Sequence, residues 1–159
     1  MKHNMKHKTL GKKEIKEYNE LIRAQHGISE FFNKNDLVSL VDDWLFTCGK
    51  QICFFLRDGK ILPTLKLLEV RPLLKTVTVD MGSLKFLIKG ADVFRPGIVA
   101  IDDGIQEGQL VRVLDQNNHK PIAIGYALLD TENMRKQTRG KVITNVHHRG
   151  DAIWNLTLD

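Results

Sequence analysis

Ser83-Leu84-Lys85-Phe86-Leu87-Ile88-Lys89-Gly90-Ala91-Asp92-Val93-Phe94-Arg95-Pro96-Gly97 is the stretch around which this chain is organised. A serine hydroxyl can accept a first-turn amide and glycine can take the left-handed conformation that ends a helix, so Ser83 and Gly90 bracket a short helix. Leu84, Leu87 and Ile88 recur at the period of one buried face, and Lys85 and Lys89 share the opposite one. Gly90-Ala91 then offers almost no side-chain bulk, and Arg95-Pro96-Gly97 turns the chain sharply into a strand. Two lysines, a bare length of backbone and an arginine suit a surface that meets phosphates. A capped helix with a solvated basic face is the plainer alternative.

Working outward, Val77–Val79 reads as a strand before this helix, and Ile98–Ile101, Gln109–Leu114 and Ile122–Leu129 as strands after it. Thr131 can cap a second short helix that stops near Gly140. Lys141–His147 and Ala152–Leu158 read as final strands joined across Arg149-Gly150-Asp151, with Trp154 pointing into the core. Short strands at such regular intervals predict a small closed barrel that leaves no sheet edge exposed.

Upstream, residues 1–10 are expected to form a mobile basic arm, and Ile15, Tyr18, Leu21 and Ile22 mark one stripe of a helix over Lys12–Gln25 that Gly27 terminates. Lys13–Glu17 and Lys16–Glu20 are spaced to pair along its exposed side. A second short helix is expected near Ser29–Asn33. Leu37–Val41, Trp44–Thr47 and Gln51–Leu56 are apolar and β-branched, and Asp58-Gly59 is a strong hairpin-turn signal. Pro63 opens a leucine-rich helix over Thr64–Val70, and Pro72 ends it. The whole is an α+β protein: a small N-terminal α+β domain over residues 1–75, then a β pseudobarrel with two short helices over residues 76–159.

There is no phosphate-loop motif, no nucleophile elbow and no paired-histidine zinc motif, and the three serines lie outside any nucleophile context. Asp42-Asp43 and Asp102-Asp103 are best read as turn residues, since strand neighbours face opposite ways. His3 and His7 have helical spacing but no third ligand, and Cys48 and Cys53 are too few for a zinc site or a disulfide framework. His147-His148 ends a strand, so one ring faces in and the other out. We therefore expect no enzyme activity, cofactor or metal. No apolar run is long enough for a membrane span and the basic start lacks a signal-peptide core, so the expectation is a cytoplasmic protein with no membrane partner. A net charge of +5 points to a polyanion, with nucleic acid ahead of lipid.

The C-terminal half resembles the PUA domain, an RNA-binding module. The resemblance is carried by Val79-Asp80-x-Gly82, Lys85-Phe86, Gly90-Ala91-Asp92-Val93 and Pro96-Gly97. It continues through Gly108, Ile124-Gly125, Gly140-Lys141 and Val146-His147-His148-x-Gly150-Asp151-x-x-Trp154. Ser83 stands where an alanine is usual. Phe54-Phe55-Leu56-Arg57-x-Gly59, Pro63-Thr64-Leu65-Lys66-Leu67-Leu68 and Pro72 look like the domain that precedes the PUA module in the malignant-T-cell-amplified-sequence family of translation factors. The resemblance implies a non-enzymatic protein that binds structured RNA, at tRNA acceptor ends or small-subunit ribosomal RNA, in translation initiation, reinitiation or recycling. It also implies the small ribosomal subunit or a translation-factor subunit as partner. A ribosomal-RNA maturation factor, or an accessory subunit presenting RNA to a modifying enzyme, is the alternative. The RNA-binding residues expected are Lys85, Lys89, Gly90, Ala91, Asp92, Arg95, Arg139, Gly140, Lys141 and His148.

Overall fold

Local signals account for most elements of the computed structural model, which describes residues 4–158. By backbone contacts the chain divides into two units, the first running to Val70 and the second over Arg71–Thr157. The first contains β1 (His7–Thr9), α1 (Lys12–His26), β2 (Val38–Val41), β3 (Leu45–Cys48), β4 (Gln51–Arg57), β5 (Lys60–Pro63) and α2 (Leu65–Val70). Its five strands form one antiparallel sheet in sequence order. In α1, Ile15 and Ile22 are buried, and Gly27 ends the helix at φ +71° with its amide donating to Arg23 O. Asp58 and Gly59 both adopt positive φ, which a two-residue hairpin turn with the strands' own twist requires.

Several expectations in this unit need correction. The described part of the basic arm is not mobile: His7–Thr9 pairs with β2, and Asp42 accepts the Lys6 amide. An edge strand joined by backbone bonds, with all three side chains exposed, carries no hydropathy signal. His3 lies outside the described residues, and His7 is on a strand, not a helix. Glu20 pairs with Arg23 and not with Lys16, four residues before it, and Glu14 pairs with Lys8. No helix forms at Ser29–Asn33, where Phe31 and Phe32 instead plug the core edge-on against Phe54. Pro63 closes β5 and does not open a helix. Thr64 follows it, and its hydroxyl accepts the Leu67 amide.

The second unit contains β6 (Thr76–Val79), α3 (Met81–Leu87), β7 (Val93–Phe94), a 3-10 turn at Arg95–Gly97, β8 (Ile98–Ile101), β9 (Leu110–Asp115), β10 (Pro121–Ala127), α4 (Thr131–Lys136) and β11 (Lys141–His148). Its six strands are ordered β7-β11-β10-β9-β6-β8, antiparallel except for the β6–β9 pair. They curl into a pseudobarrel around Val77, Val79, Val111, Val113, Val142 and Ile143, onto which Leu87 of α3 and Met134 of α4 pack. The barrel is not closed by hydrogen bonds, because β7 and β8 are the two ends of the strand order. Edge protection at β8 comes instead from two arginines: Arg95 donates to Ile98 O and Arg135 to Ile101 O.

Residues 152–158 are not a strand. Asp151 accepts the Trp154 amide on its carboxylate and the Asn155 amide on its carbonyl, which winds the chain into turns. Ile153 is the residue this places in the core, while Trp154 is only half-buried, with the Arg149 guanidinium 4.6 Å from its ring centre.

Candidate nucleic-acid interface

The site begins at the N-terminus of α3. Asp80 is the capping residue, one turn earlier than Ser83: its carboxylate accepts both the Ser83 amide and the Ser83 hydroxyl at 2.8 Å. The Ser83 hydroxyl thus adds a second bond to the cap. The shift also changes which side chains face out. Leu87 is buried and Leu84 packs on the core, but Ile88, at the C-cap, is 42% exposed and Phe86 is 57% exposed. Gly90 does terminate the helix, at φ +95°, with its amide donating to Leu87 O and the Ala91 amide donating to Phe86 O.

From Gly90 the chain is laid along β11. Asn145 Nδ2 donates to Ala91 O at 2.9 Å and to Leu87 O at 3.3 Å, while the Asn145 amide donates to Asp92 Oδ1 at 2.9 Å. Lys141 Nζ is 3.5 Å from Asp92 Oδ2, Phe94 pairs with Lys141, and the Arg95 amide donates to Gly140 O. At the far end of β11 His148 covers Gly90: a Cβ on that glycine would lie 3.3 Å from His148 Nε2. His148 Nδ1 is within 2.9 Å of Arg149 O, so the proton on that nitrogen is donated to the carbonyl and Nε2 faces the glycine. The strip therefore unites Gly90, Ala91, Asp92, Gly140, Lys141 and His148. Exposed Lys85 and Lys89 flank it from α3 and the turn after it. Arg139 is exposed just before Gly140.

Arg95 is different. Its backbone joins the strip, but its guanidinium donates to Met134 O at 2.8 Å and to Ile98 O at 3.3 Å. Those donors are committed to α4 and β8. Arg135 is similarly bound to Asp103 and Glu132, whereas Lys85, Lys89 and Arg139 have no hydrogen-bond or ion-pair partner among the described residues.

Two features went unread in the sequence. Asn145 is the clamp that holds the Gly90–Asp92 segment, and its signal was available: asparagine is depleted within apolar strands. Phe86 and Phe94 are both more than half exposed and line a cleft of about 250 Å³ with Ser83, Leu87, Ala91, Val93 and Gly97. Their exposure was not legible: which helical positions face out depended on where the α3 cap fell, and Phe94 lies on a strand of only two residues.

The His147-His148 pair divides as alternation predicts. His147 is buried, with Nδ1 2.7 Å from Asp151 Oδ2, and Asp151 also accepts the His148 and Trp154 amides. Burial on its own would raise the Asp151 carboxyl, but these hydrogen bonds outweigh it and hold the group at about 2. This is a structural brace beneath the strip. No cluster of three or more metal-ligating side chains occurs among the described residues, and no described helix is long and apolar enough to cross a membrane.

Residues 75–149 match the PUA domain model, a span that contains every residue of the strip. An uncharacterised protein of Methanocaldococcus jannaschii is 41% identical over 92% of this chain and 94% of its own length. Translation machinery-associated protein 20 of Schizosaccharomyces pombe is 35% identical over 73% of this chain and 67% of its own. Malignant T-cell-amplified sequence 1 of Rattus norvegicus is 28% identical over 87% of this chain and 83% of its own. The chain belongs to the family of translation machinery-associated protein 20 and is homologous to the malignant T-cell-amplified sequence proteins. Among solved structures, a PUA-domain protein of Aeropyrum pernix, crystallised with tartrate, superposes with a TM-score of 0.86 at 28% identity, covering 95% of this chain and 90% of that one. The malignant T-cell-amplified sequence relationship takes in the first unit as well as the PUA unit, since the matched share of the chain far exceeds the PUA span.

Proposed function

We propose that this protein is a non-enzymatic RNA-binding factor of the cytoplasmic translation machinery. In this reading it holds structured RNA, a tRNA acceptor end or small-subunit ribosomal RNA, during initiation, reinitiation or recycling, on the small ribosomal subunit or beside a translation-factor subunit. One observation carries the reading: the backbone at Gly90-Ala91, bare of side chains, is clamped along β11 by Asn145 and flanked by Lys85, Lys89 and Arg139, which have no acidic partner among the described residues. A phosphate backbone can approach such a surface closely, and the cations release its counterions. Lys141 contributes beside its loose pairing with Asp92, and His148 borders the same segment. Arg95 serves this surface through its backbone, and its side chain braces the barrel.

The test is Lys89→Glu combined with Arg139→Glu. Both side chains are exposed, so melting should change little. Affinity for structured RNA should fall, and the plot of log affinity against log salt should flatten by about two units as two phosphate contacts are lost. A double variant that melts, binds and responds to salt like the parent would remove the strip from consideration. Crosslinking in cells, followed by sequencing of the bound RNA, separates the targets: mature tRNA ends and small-subunit RNA are expected, and recovery of precursor ribosomal RNA alone would move the protein out of translation.

A further inference from the structure

We infer that Asn145 is a positioning residue of the strip: it makes no contact with RNA, but by fixing the backbone of Gly90–Asp92 beforehand it sets how tightly RNA is held. The inference rests on the RNA-binding reading and names the residue that prepares its site. Asn145 supplies three hydrogen bonds around this segment. Its Nδ2 donates to Ala91 O at 2.9 Å and to Leu87 O at 3.3 Å, and its backbone amide donates to Asp92 Oδ1 at 2.9 Å. Without them the segment keeps the bonds of the Gly90 and Ala91 amides to the last turn of α3 at one end. At the other it keeps the pairing of Val93 with Ile143 and the Lys141–Asp92 ion pair. Gly90, at φ +95°, is the residue type with most backbone freedom to lose, so the span between those anchors is what Asn145 holds still.

An irregularity in the sheet brings this side chain to bear. β10 and β11 pair Ile124 with His147 but Gly125 with Asn145, so Val146 is an extra residue on β11, and a bulge of this kind re-aims the side chain beside it. The side chain then has nothing left with which to meet a ligand. Nδ2 has two hydrogens and two carbonyl acceptors, and Oδ1 is buried with no hydrogen-bond partner among the described residues. That unmet acceptor costs stability, which offsets part of what the two donated bonds contribute. Folding therefore gains little from the side-chain amide, and its consequence falls on the backbone it holds. A backbone fixed in advance removes an ordering cost from RNA binding. Leaving the equivalent of one residue to be ordered on binding weakens affinity about tenfold.

Two variants of the full chain test this: Asn145→Leu, which keeps the branched shape without donors, and Asn145→Ala, which removes it. The probe is an RNA hairpin copying a tRNA acceptor stem with its 3′ end, titrated over a salt series well below each protein's melting temperature. Both variants should melt within a few degrees of the parent, because the unmet acceptor leaves together with the donors. Both should bind about tenfold more weakly with an unchanged slope of log affinity against log salt, since Lys85, Lys89 and Arg139 remain. Amide exchange in the free variants should accelerate at residues 90–92 and keep the parental rate in β9 and β10. A collapse in the melting of both variants would make Asn145 a stability residue and overturn the inference. So would unchanged exchange at residues 90–92, or a loss of affinity with a flattened slope, which would place Asn145 among the phosphate contacts. If Lys89→Glu with Arg139→Glu weakens binding while both Asn145 variants bind like the parent, the strip stands and the positioning role fails. A parent that binds neither the hairpin nor small-subunit ribosomal RNA would end the RNA-binding reading and the positioning role together.

Discussion

Asp151 shows how one carboxylate can organise the end of the pseudobarrel. It accepts from the His147 ring and from the amides of His148 and Trp154, and these bonds outweigh a burial that would otherwise raise its carboxyl, leaving it at about 2. The unfolded chain would titrate near the usual aspartate value of about 3.9. A carboxyl whose folded value is depressed contributes stability that is present above the unfolded value and lost as pH falls through the folded one. Denaturation midpoints should therefore drop between about pH 4 and pH 2, with this group accounting for about 2 kcal/mol. Asp151→Asn should be less stable at neutral pH and show a flatter acid limb over that window. An acid limb as steep as the parent's would mean that other carboxylates carry the effect.

At the scale of elements, β8 is an end strand of the pseudobarrel whose carbonyls at Ile98 and Ile101 are met by arginine side chains. Val99 on this strand is 49% exposed, and a strand of that character is a template for pairing with another chain. Arg135 occupies Ile101 O at 3.0 Å while anchored to Asp103, and Arg95 occupies Ile98 O. The exposed ion pairs of Arg135 are worth little by themselves. Its bond to the strand has the greater consequence. Arg135→Ala should cost about 1 kcal/mol of stability, the usual net worth of one hydrogen bond, and should raise concentration-dependent self-association near the melting temperature. Light scattering during a slow thermal ramp would measure this, and identical onset for variant and parent would refute the guarding role.

For the molecule as a whole, each unit buries its own apolar cluster, and a lesion in one core offers a way to ask whether the two are separate domains. Gly125 on β10 is suited to this. It sits at a register shift against β11, and a Cβ there would run into the Thr144 carbonyl oxygen and approach Ile143 Cγ2 to 2.6 Å. Backbone cannot yield as the tip of a flexible side chain does, so Gly125→Ala should cost about 3 kcal/mol or more. If the units are independent domains, amide exchange should accelerate through β9, β10 and β11 and stay slow at Phe46 and Phe54 of the first sheet. Acceleration throughout both sheets would make the chain a single cooperative domain.

What the amino-acid sequence determined by itself is what depends on neighbours within a turn or two. The stripe Ile15–Ile22, the stop at Gly27, the Asp58-Gly59 hairpin and the left-handed Gly90 are short-range matters of period and backbone freedom, and all were legible. The ordered set of motifs from Val79 to Asp151 was long enough to identify the PUA architecture as well. The tertiary structure decided everything that needed a partner far along the chain. His7–Thr9 became a strand because β2 was there to pair with it, and residues 152–158 failed to become one because Asp151 drew their amides into turns. Asn145 clamps carbonyls that lie 54 and 58 residues away, and Arg95 reaches Met134 across 39 residues, so neither role has a local signature. The same holds for the candidate site. Composition supplied its cations, but only folding determined that Lys89 stays unpaired, that Arg95 directs its donors to carbonyls, and that Phe86 and Phe94 line one cleft, since each outcome depends on which distant groups arrive within hydrogen-bonding or van der Waals reach.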